Sequence, residues 1–214
     1  MSMRQHSFLD RLIGHADQVL RTLAPEAARA GRPSPAGARA EAGLNADERR
    51  QVAGFMRINH TGEVCAQALY HGQALTAKLP AVRTEMEQAA REEVDHLVWC
   101  EARLQELGAR PSVLNPLFYA ASFGVGALAG LAGDRWSLGF VAETEKQVVE
   151  HLQSHLSTLP LNDQRTRAVL DQMRIDEARH RDMAIAAGAA ELPPPVQGAM
   201  QVVARVMTTT TYYV

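Results

Sequence analysis

Hydrophobic positions recur along this chain at helical spacing. Over residues 5–23, Phe8, Leu9, Leu12, Ile13, Ala16, Val19, Leu20 and Leu23 make an i, i+3, i+4, i+7 stripe, with Asp10, Arg11, Asp17 and Arg21 mostly between its members. An amphipathic helix of this kind either packs on the rest of the domain or lies on a membrane surface. From Pro25 to Asn45 the pattern breaks. Gly31, Pro33, Pro35 and Gly37 forbid regular structure through its middle, so the stretch reads as a linker or a mobile arm. Periodicity and stop signals then predict helices over 47–78, ended by Pro80; 81–108, ended by Gly108; 135–158, ended by Pro160; and 163–188, ended by Gly188. A last helix, opened by Pro193, Pro194 and Pro195, runs to about 207, with Val196, Met200, Val203, Ala204 and Met207 on one face. Asn45 or Asp47 is placed to cap the first of these long helices, Asp134 the third, and Asn162 or Asp163 the fourth. Gly54, Gly62 and Gly72 fall inside the first, where each costs up to ~1 kcal/mol relative to Ala. Their presence points to close helix approach or to relief of crowding near a bulky site.

The four long helices come as two pairs. Between the pairs, no charge occurs from Pro111 through Gly133, and Gly126 and Gly130 stand at small-xxx-small spacing. This apolar helix is either buried on all sides or partly exposed as a lipid-facing surface, with Leu117, Phe118, Tyr119 and Phe123 as the natural entrance for an apolar molecule. It is too short and glycine-rich to be read as a span. The expected organisation is therefore an N-terminal helix and linker over 1–45, a helical domain over 46–207 and a tail over 208–214.

Composition adds limits. Apolar residues make up 46% and aromatics only 5%, so the core is mostly Ala, Leu and Val, which favours packed helices over a β-sandwich. The 22 basic and 24 acidic residues nearly cancel, which leaves no electrostatic footprint for nucleic acid. Cys65 and Cys100 form no Cys-x-x-Cys pair and read as small packing residues in a reducing compartment. Met1 to Leu23 lacks the continuous apolar run of a signal peptide.

Candidate chemistry lies on the long helices. Glu93 and His96, and again Glu177 and His180, form Glu-x-x-His pairs. Residues at i and i+3 share a helix face, so each pair can reach one metal ion. Each pair follows a single Glu at matching distance: Glu63 lies 30 residues before Glu93 (93 − 63), and Glu145 lies 32 before Glu177 (177 − 145). One such pair alone is an ordinary charged helical turn. The matched repetition is what argues for metal. Glu145, rather than Glu143, shares a face with Val141, Val148, Val149 and Leu152. Asp95 and Asp176 are candidates to orient the ligand imidazoles. His151, which pairs with His155 at i+4, borders the site or a channel, or ligates. Oxygen-rich ligation with two imidazoles suits iron or manganese better than structural zinc. One Glu from each of two helices and a Glu-x-x-His from each of two others is also the ligand arrangement of ferritin-like di-iron and di-manganese bundles.

Met56-Arg57-Ile58-Asn59-His60-Thr61-Gly62-Glu63, Glu92-Glu93-Val94-Asp95-His96, Ala142-Glu143-Thr144-Glu145 and Asp176-Glu177-Ala178-Arg179-His180 together resemble the di-iron demethoxyubiquinone hydroxylases of ubiquinone biosynthesis, over roughly 48–207. The resemblance implies an all-α, ferritin-like four-helix bundle, with the apolar helix between its hairpins and additional terminal helices. It implies two iron ions per chain, held by Glu63, Glu93, His96, Glu145, Glu177 and His180. It also implies O2-dependent hydroxylation of a polyprenylated methoxy-methyl-benzoquinol, and peripheral attachment to the cytoplasmic side of the inner membrane. A homo-oligomer or other ubiquinone-biosynthesis proteins are conceivable partners. No Gly-x-Gly-x-x-Gly fingerprint is present, so no tightly bound nucleotide is expected. Two rivals stand beside this reading. One is an iron-storage or peroxide-scavenging bundle with the same six ligands, and the other is a metal-free helical interaction protein.

Overall fold

Asn45 starts the first long helix with both halves of a capping box. Its Oδ1 accepts from the Asp47 and Glu48 amides at 2.9 and 3.0 Å, and Glu48 Oε2 accepts from the Asn45 amide at 2.9 Å. The computed structural model describes residues 8–37 and 39–214. Among these there are seven helices and no strand: α1 Phe8–Leu23, α2 Ala46–Thr76, α3 Pro80–Glu106, α4 Asn115–Leu131, α5 Asp134–Thr158, α6 Gln164–Ala186 and α7 Pro194–Thr211. The expected start of α1 at residue 5 lies outside the described residues.

α2 and α3 form one hairpin and α5 and α6 the other, and α3 meets α6 across the bundle. Each of the four helices carries the same vertical order. Val52 and Met56 of α2, Trp99 and Leu104 of α3, Leu152 and Leu156 of α5, and Leu170 and Met173 of α6 build one apolar layer. Tyr70, Met86, Leu138, Val141 and Ala184 build another. Glu63, Glu93, His96, Glu145, Glu177 and His180, all buried, lie between the two layers in sequence on their own helices. Burying carboxylates in this way is strongly unfavourable unless they are paired or metal-bound.

α4 lies along α2, backbone to backbone. A Cβ on Gly72 would overlap the Phe123 carbonyl and the Ala127 amide, and one on Gly126 would overlap the Leu69 backbone. Glycine is required at these two positions for helix approach. Thr61 Oγ1 donates to Asn115 Oδ1 at 2.8 Å, and Asn115 Nδ2 lies 3.2 Å from His60 Nδ1, which pins the start of α4 to α2 just before Glu63. Burial holds the His60 pKa down to about 4, so its ring is neutral and accepts from Asn115.

Three features differ from the sequence-based expectation. Asp134 does not cap α5. It is the first residue of that helix, and its carboxylate accepts from the Lys78 and Leu79 amides at 3.0 Å each, closing the α2–α3 turn instead. α7 continues to Thr211, and along this last stretch the hydroxyls of Thr208, Thr209, Thr210 and Thr211 bond back to the carbonyls of Arg205, Val206 and Met207. Tyr212 then packs on Gly54, and its carbonyl accepts from Arg57.

Among the described residues of the stretch 24–45 there is no helix, but the stretch is not a loose linker. Ala36 and Leu44 are buried in the core. Glu41 forms a two-pronged pair with Arg103 at 2.6 and 2.9 Å, and Arg103 also reaches Asp163 and Thr166 of the second hairpin. α1 packs on α2 through Val19, Leu23 and a 2.7 Å bond from Thr22 Oγ1 to Gln67 Oε1.

Candidate metal centre

The middle layer gathers all six predicted side chains. Glu63, Glu93, His96 and Glu177 each offer an atom within 4.8 Å of the others, and so do Glu93, Glu145, Glu177 and His180. Glu93 and Glu177 belong to both groups, whereas Glu63 and Glu145 belong to one each. His96 Nδ1 lies 2.9 Å from Glu93 Oε2, 3.1 Å from Glu177 Oε1 and 3.7 Å from Glu63 Oε2. His180 Nδ1 lies 3.0 Å from Glu93 Oε1 and 3.2 Å from Glu177 Oε2. The two imidazoles therefore aim the same ring nitrogen at the same two shared carboxylates from opposite sides.

Their outward nitrogens are held in a crossed manner. His96 Nε2 on α3 meets Asp176 Oδ2 on α6 at 3.0 Å, and His180 Nε2 on α6 meets Glu92 Oε2 on α3 at 2.7 Å. Asp176 and Glu92 each directly precede the shared Glu of their own helix. A pseudo-twofold axis thus relates the halves, and each half orients the imidazole of the other. Sequence reasoning misses Glu92. The signal that could find it is its match to Asp176 in the repeat.

Asp95 does not touch an imidazole. Its Oδ1 accepts from the Gly31 amide at 2.6 Å and its Oδ2 from Arg32 Nε at 2.5 Å, so it anchors the 24–45 arm. His151 is in neither group of side chains that could hold a metal ion. Its ring packs edge-on against His155, 4.1 Å away, and His155 stacks on Phe55 at 4.2 Å. Six residues past Glu145, His151 is rotated away from the site face. Glu143 is likewise turned aside, onto Lys146 and Gln147. Tyr70, not anticipated as a site residue, donates its hydroxyl to Glu145 Oε1. Of the entrance candidates on α4, Leu117 is exposed and Phe118 half-buried. Tyr119 faces inward, its hydroxyl 3.2 Å from His71 Nδ1, and Phe123 packs beneath the helix. The outward face is instead Leu117, Val125, Leu128 and Leu131.

Ionisation follows from this crowding. Burial opposes charge on both imidazoles, but the Glu93 charge, the bonds to Asp176 and Glu177 and the nearby Glu63 carboxylate hold His96 well above its ordinary value. Against the same burial, Glu177 and Glu93 push His180 up to about 12. Burial, reinforced by the Glu93 and Glu177 charges, raises Glu63 and Glu145 well above the carboxylate range. Burial also acts to raise Glu93, yet the two imidazolium rings pull it well below.

The residues fit a pair of divalent cations. The donor set is hard oxygen plus imidazole, at a size suited to two ions sharing carboxylates. Glu63 Oε2 is buried without a hydrogen-bond partner, which marks an acceptor left for a cation.

Known proteins resemble this chain over nearly its whole length. The family model described as "Ubiquinone biosynthesis protein COQ7" matches residues 50–211. The 3-demethoxyubiquinol 3-hydroxylase of Ectopseudomonas mendocina is 61% identical over 211 residues, covering 99% of this chain and 98% of that protein. The 3-demethoxyubiquinol 3-hydroxylase of Acinetobacter baylyi is 58% identical over 212 residues, covering 99% and 100%. The family match encloses all six gathered side chains, and the architecture is the ferritin-like helical bundle of that family. The chain therefore belongs to the COQ7 family of ubiquinone biosynthesis proteins.

Proposed function

We propose that this chain is a di-iron monooxygenase that hydroxylates the open ring carbon of a polyprenylated methoxy-methyl-benzoquinol, 3-demethoxyubiquinol, while resting on the membrane that holds it. The observation that carries the reading is the pair of overlapping Glu/His groups that share Glu93 and Glu177, in a chain similar end to end to 3-demethoxyubiquinol 3-hydroxylases. We assign Glu63, Glu93, His96 and Glu177 to one iron and Glu93, Glu145, Glu177 and His180 to the other. Bound there, the iron pair would supply the oxygen activation that no protein side chain offers. The reaction places one oxygen atom of O2 in the ring C–H bond and the other in water, with two electrons and two protons supplied from a donor.

The chain's own residues set the conditions for that chemistry. The apolar layers above and below the cluster exclude bulk water. Asp176 and Glu92 keep the two imidazoles turned inward. Tyr70 holds one oxygen of Glu145 and thereby fixes which oxygen faces the centre. Ala66, Leu69, Phe140 and Val141 line a narrow crevice between α2 and α5 beside Tyr70 and Glu145; it has room for about one water molecule, so a quinol ring could enter there only if the two helices parted.

The outward face of α4 supports membrane contact. Leu117, Leu128 and Leu131 are each more than 60% exposed, and Trp136 stands at the α4–α5 corner. Among the described residues no helix is long and apolar enough to cross a membrane, so the fitting mode is a helix lying in the interface. The unpaired thiols of Cys65 and Cys100 fit the cytoplasmic side. An iron-storage bundle would use the same six ligands but has no need of this face. Replacing Leu117 and Leu128 with Glu removes roughly 1.5–3 kcal/mol of apolar burial at each position. Vesicle affinity measured by flotation is then expected to fall about 100-fold or more. Unchanged flotation would remove α4 as the contact.

The direct test of function is to supply iron-loaded protein with the demethoxy-quinol, a reductant and isotopically labelled O2 in vesicles. Mass spectrometry is expected to find one labelled oxygen in the product. Iron-loaded protein that consumes peroxide but leaves the quinol unchanged would favour the scavenging rival.

A further inference from the structure

The pseudo-twofold repeat extends further than the ligands, to the groups that hold the orienting carboxylates, but the two halves differ in where the cation comes from. On α3, Gln88 Nε2 donates to Glu92 at 2.8 Å, and Glu92 holds His180. On α6, Gln172 Nε2 donates to Asp176 at 3.1 Å, and Asp176 holds His96. Both glutamines stand four residues before their carboxylates. Arg179, two residues after Glu177, then supplies a cation to Glu92 at 3.0 Å. The matching position two residues after Glu93 is Asp95, a charge of opposite sign. The α3 repeat therefore supplies no arginine for Asp176, and Arg179 itself approaches Asp176 only at 3.7 Å.

The missing cation comes from the arm. Arg32 Nη1 reaches Asp176 Oδ2 at 2.9 Å, while its Nε sits on Asp95. Its guanidinium lies 4.9 Å from the centre of the Trp99 ring, and that ring neighbours His96 at 5.4 Å. The Gly31 amide adds a second bond to Asp95. A planar fork that bridges two carboxylates and stacks on an indole is arginine chemistry, which lysine does not reproduce. Arg32 also lies outside the stretch 50–211 that the family match covers.

We propose that Arg32 is a positioning residue for the His96 half of the metal centre. The arm completes a symmetry that the helices leave broken, and Asp95 serves as its dock. This inference rests on the two-metal reading above. Loss of Arg32 is expected to leave Asp176 free to turn from His96 Nε2, loosening the metal position that uses Glu63 and His96 and sparing the one that uses Glu145 and His180.

The test is Mn(II) loading of the full chain, read as metal retained after desalting and by electron paramagnetic resonance. Wild type is expected to retain two ions with a spin-coupled spectrum. Arg32→Ala is expected to retain one, with the six-line spectrum of an isolated Mn(II), and to bind the second about 10–100-fold more weakly. Arg32→Lys should recover part of the loss, and Arg179→Ala should weaken the opposite half. Helicity by circular dichroism accompanies each variant, and Arg32→Gln replaces the alanine variant if that one unfolds. A folded Arg32 variant that keeps two coupled ions, or loses both, overturns the proposal. Wild type that binds no Mn(II) or iron would instead sink the two-metal reading itself.

Discussion

Glu177→Gln is expected to abolish retention of both metal ions and all hydroxylation, while the protein keeps its helical fold. Glu177 belongs to both four-residue groups, with Oε1 facing His96 and Oε2 facing His180. The amide keeps the shape and half of the acceptor capacity but removes a charge that both cations share. Glu93→Gln should behave alike, whereas Glu63→Gln and Glu145→Gln should each cost one ion preferentially. The effect is also visible without turnover. Saturating two sites at a hundredfold excess over Kd stabilises the fold by about 5 kcal/mol, which corresponds to a rise in Tm of roughly 10–20 °C for a chain of this size. Wild type should show that rise with added Fe(II) under anaerobic conditions, and Glu177→Gln should show none. Retention of both ions and of activity in the variant would remove Glu177 from the ligand set.

The second large effect is on pH. His96 and His180 carry raised pKa values, so they hold protons in the metal-free protein at neutral pH, as do Glu63 and Glu145. A raised folded-state pKa contributes stability that is full below the unfolded value and is lost as pH rises toward the folded value. For His180 that window runs from its ordinary 6.5 to about 12. Each such group changes stability by up to about 1.4 kcal/mol per pH unit within its window. The metal-free protein should therefore lose stability from neutral to alkaline pH. Metal loading displaces those same protons, about two to four per pair of ions, so affinity should rise steeply over the same range. Calorimetric titration with Mn(II) in buffers of different ionisation enthalpy counts the protons directly. Heats that do not depend on the buffer would contradict this account of the cluster.

Much of the centre is legible in the sequence because its spacing is local. A Glu and a His three residues apart on a helix share a face whatever the helix packs against, and the matched distances from Glu63 and Glu145 then pair the hairpins. The inward choice of Glu145 over Glu143 follows from the apolar residues on its face. Glu92 is hidden in the charged run Arg91-Glu92-Glu93, which looks solvated until α6 brings His180 against it. Asp95 adjoins His96 in sequence and so reads as a partner of an imidazole, but neighbours on a helix point about 100° apart. Tyr119 has the apolar character of a lipid-facing residue, yet its side of α4 meets α2.

The long helices, the Asn45 cap and the two Glu-x-x-His faces are consequences of hydrogen bonding and steric rules that act within a few residues, whereas Asp134 is drawn away from its expected cap by the α2–α3 turn. Those rules work the same way in every fold, and the chain order alone therefore carries them. Which carboxylate orients which imidazole, the glycine-lined approach of α4 to α2, and the docking of Arg32 on Asp95 and Asp176 join residues 50 to 150 positions apart. Composition marks 24–45 as unable to form a helix, since proline and glycine act on their own backbone. That the arm nevertheless closes one side of the metal centre depends on a carboxylate pair that exists only once α3 and α6 have packed.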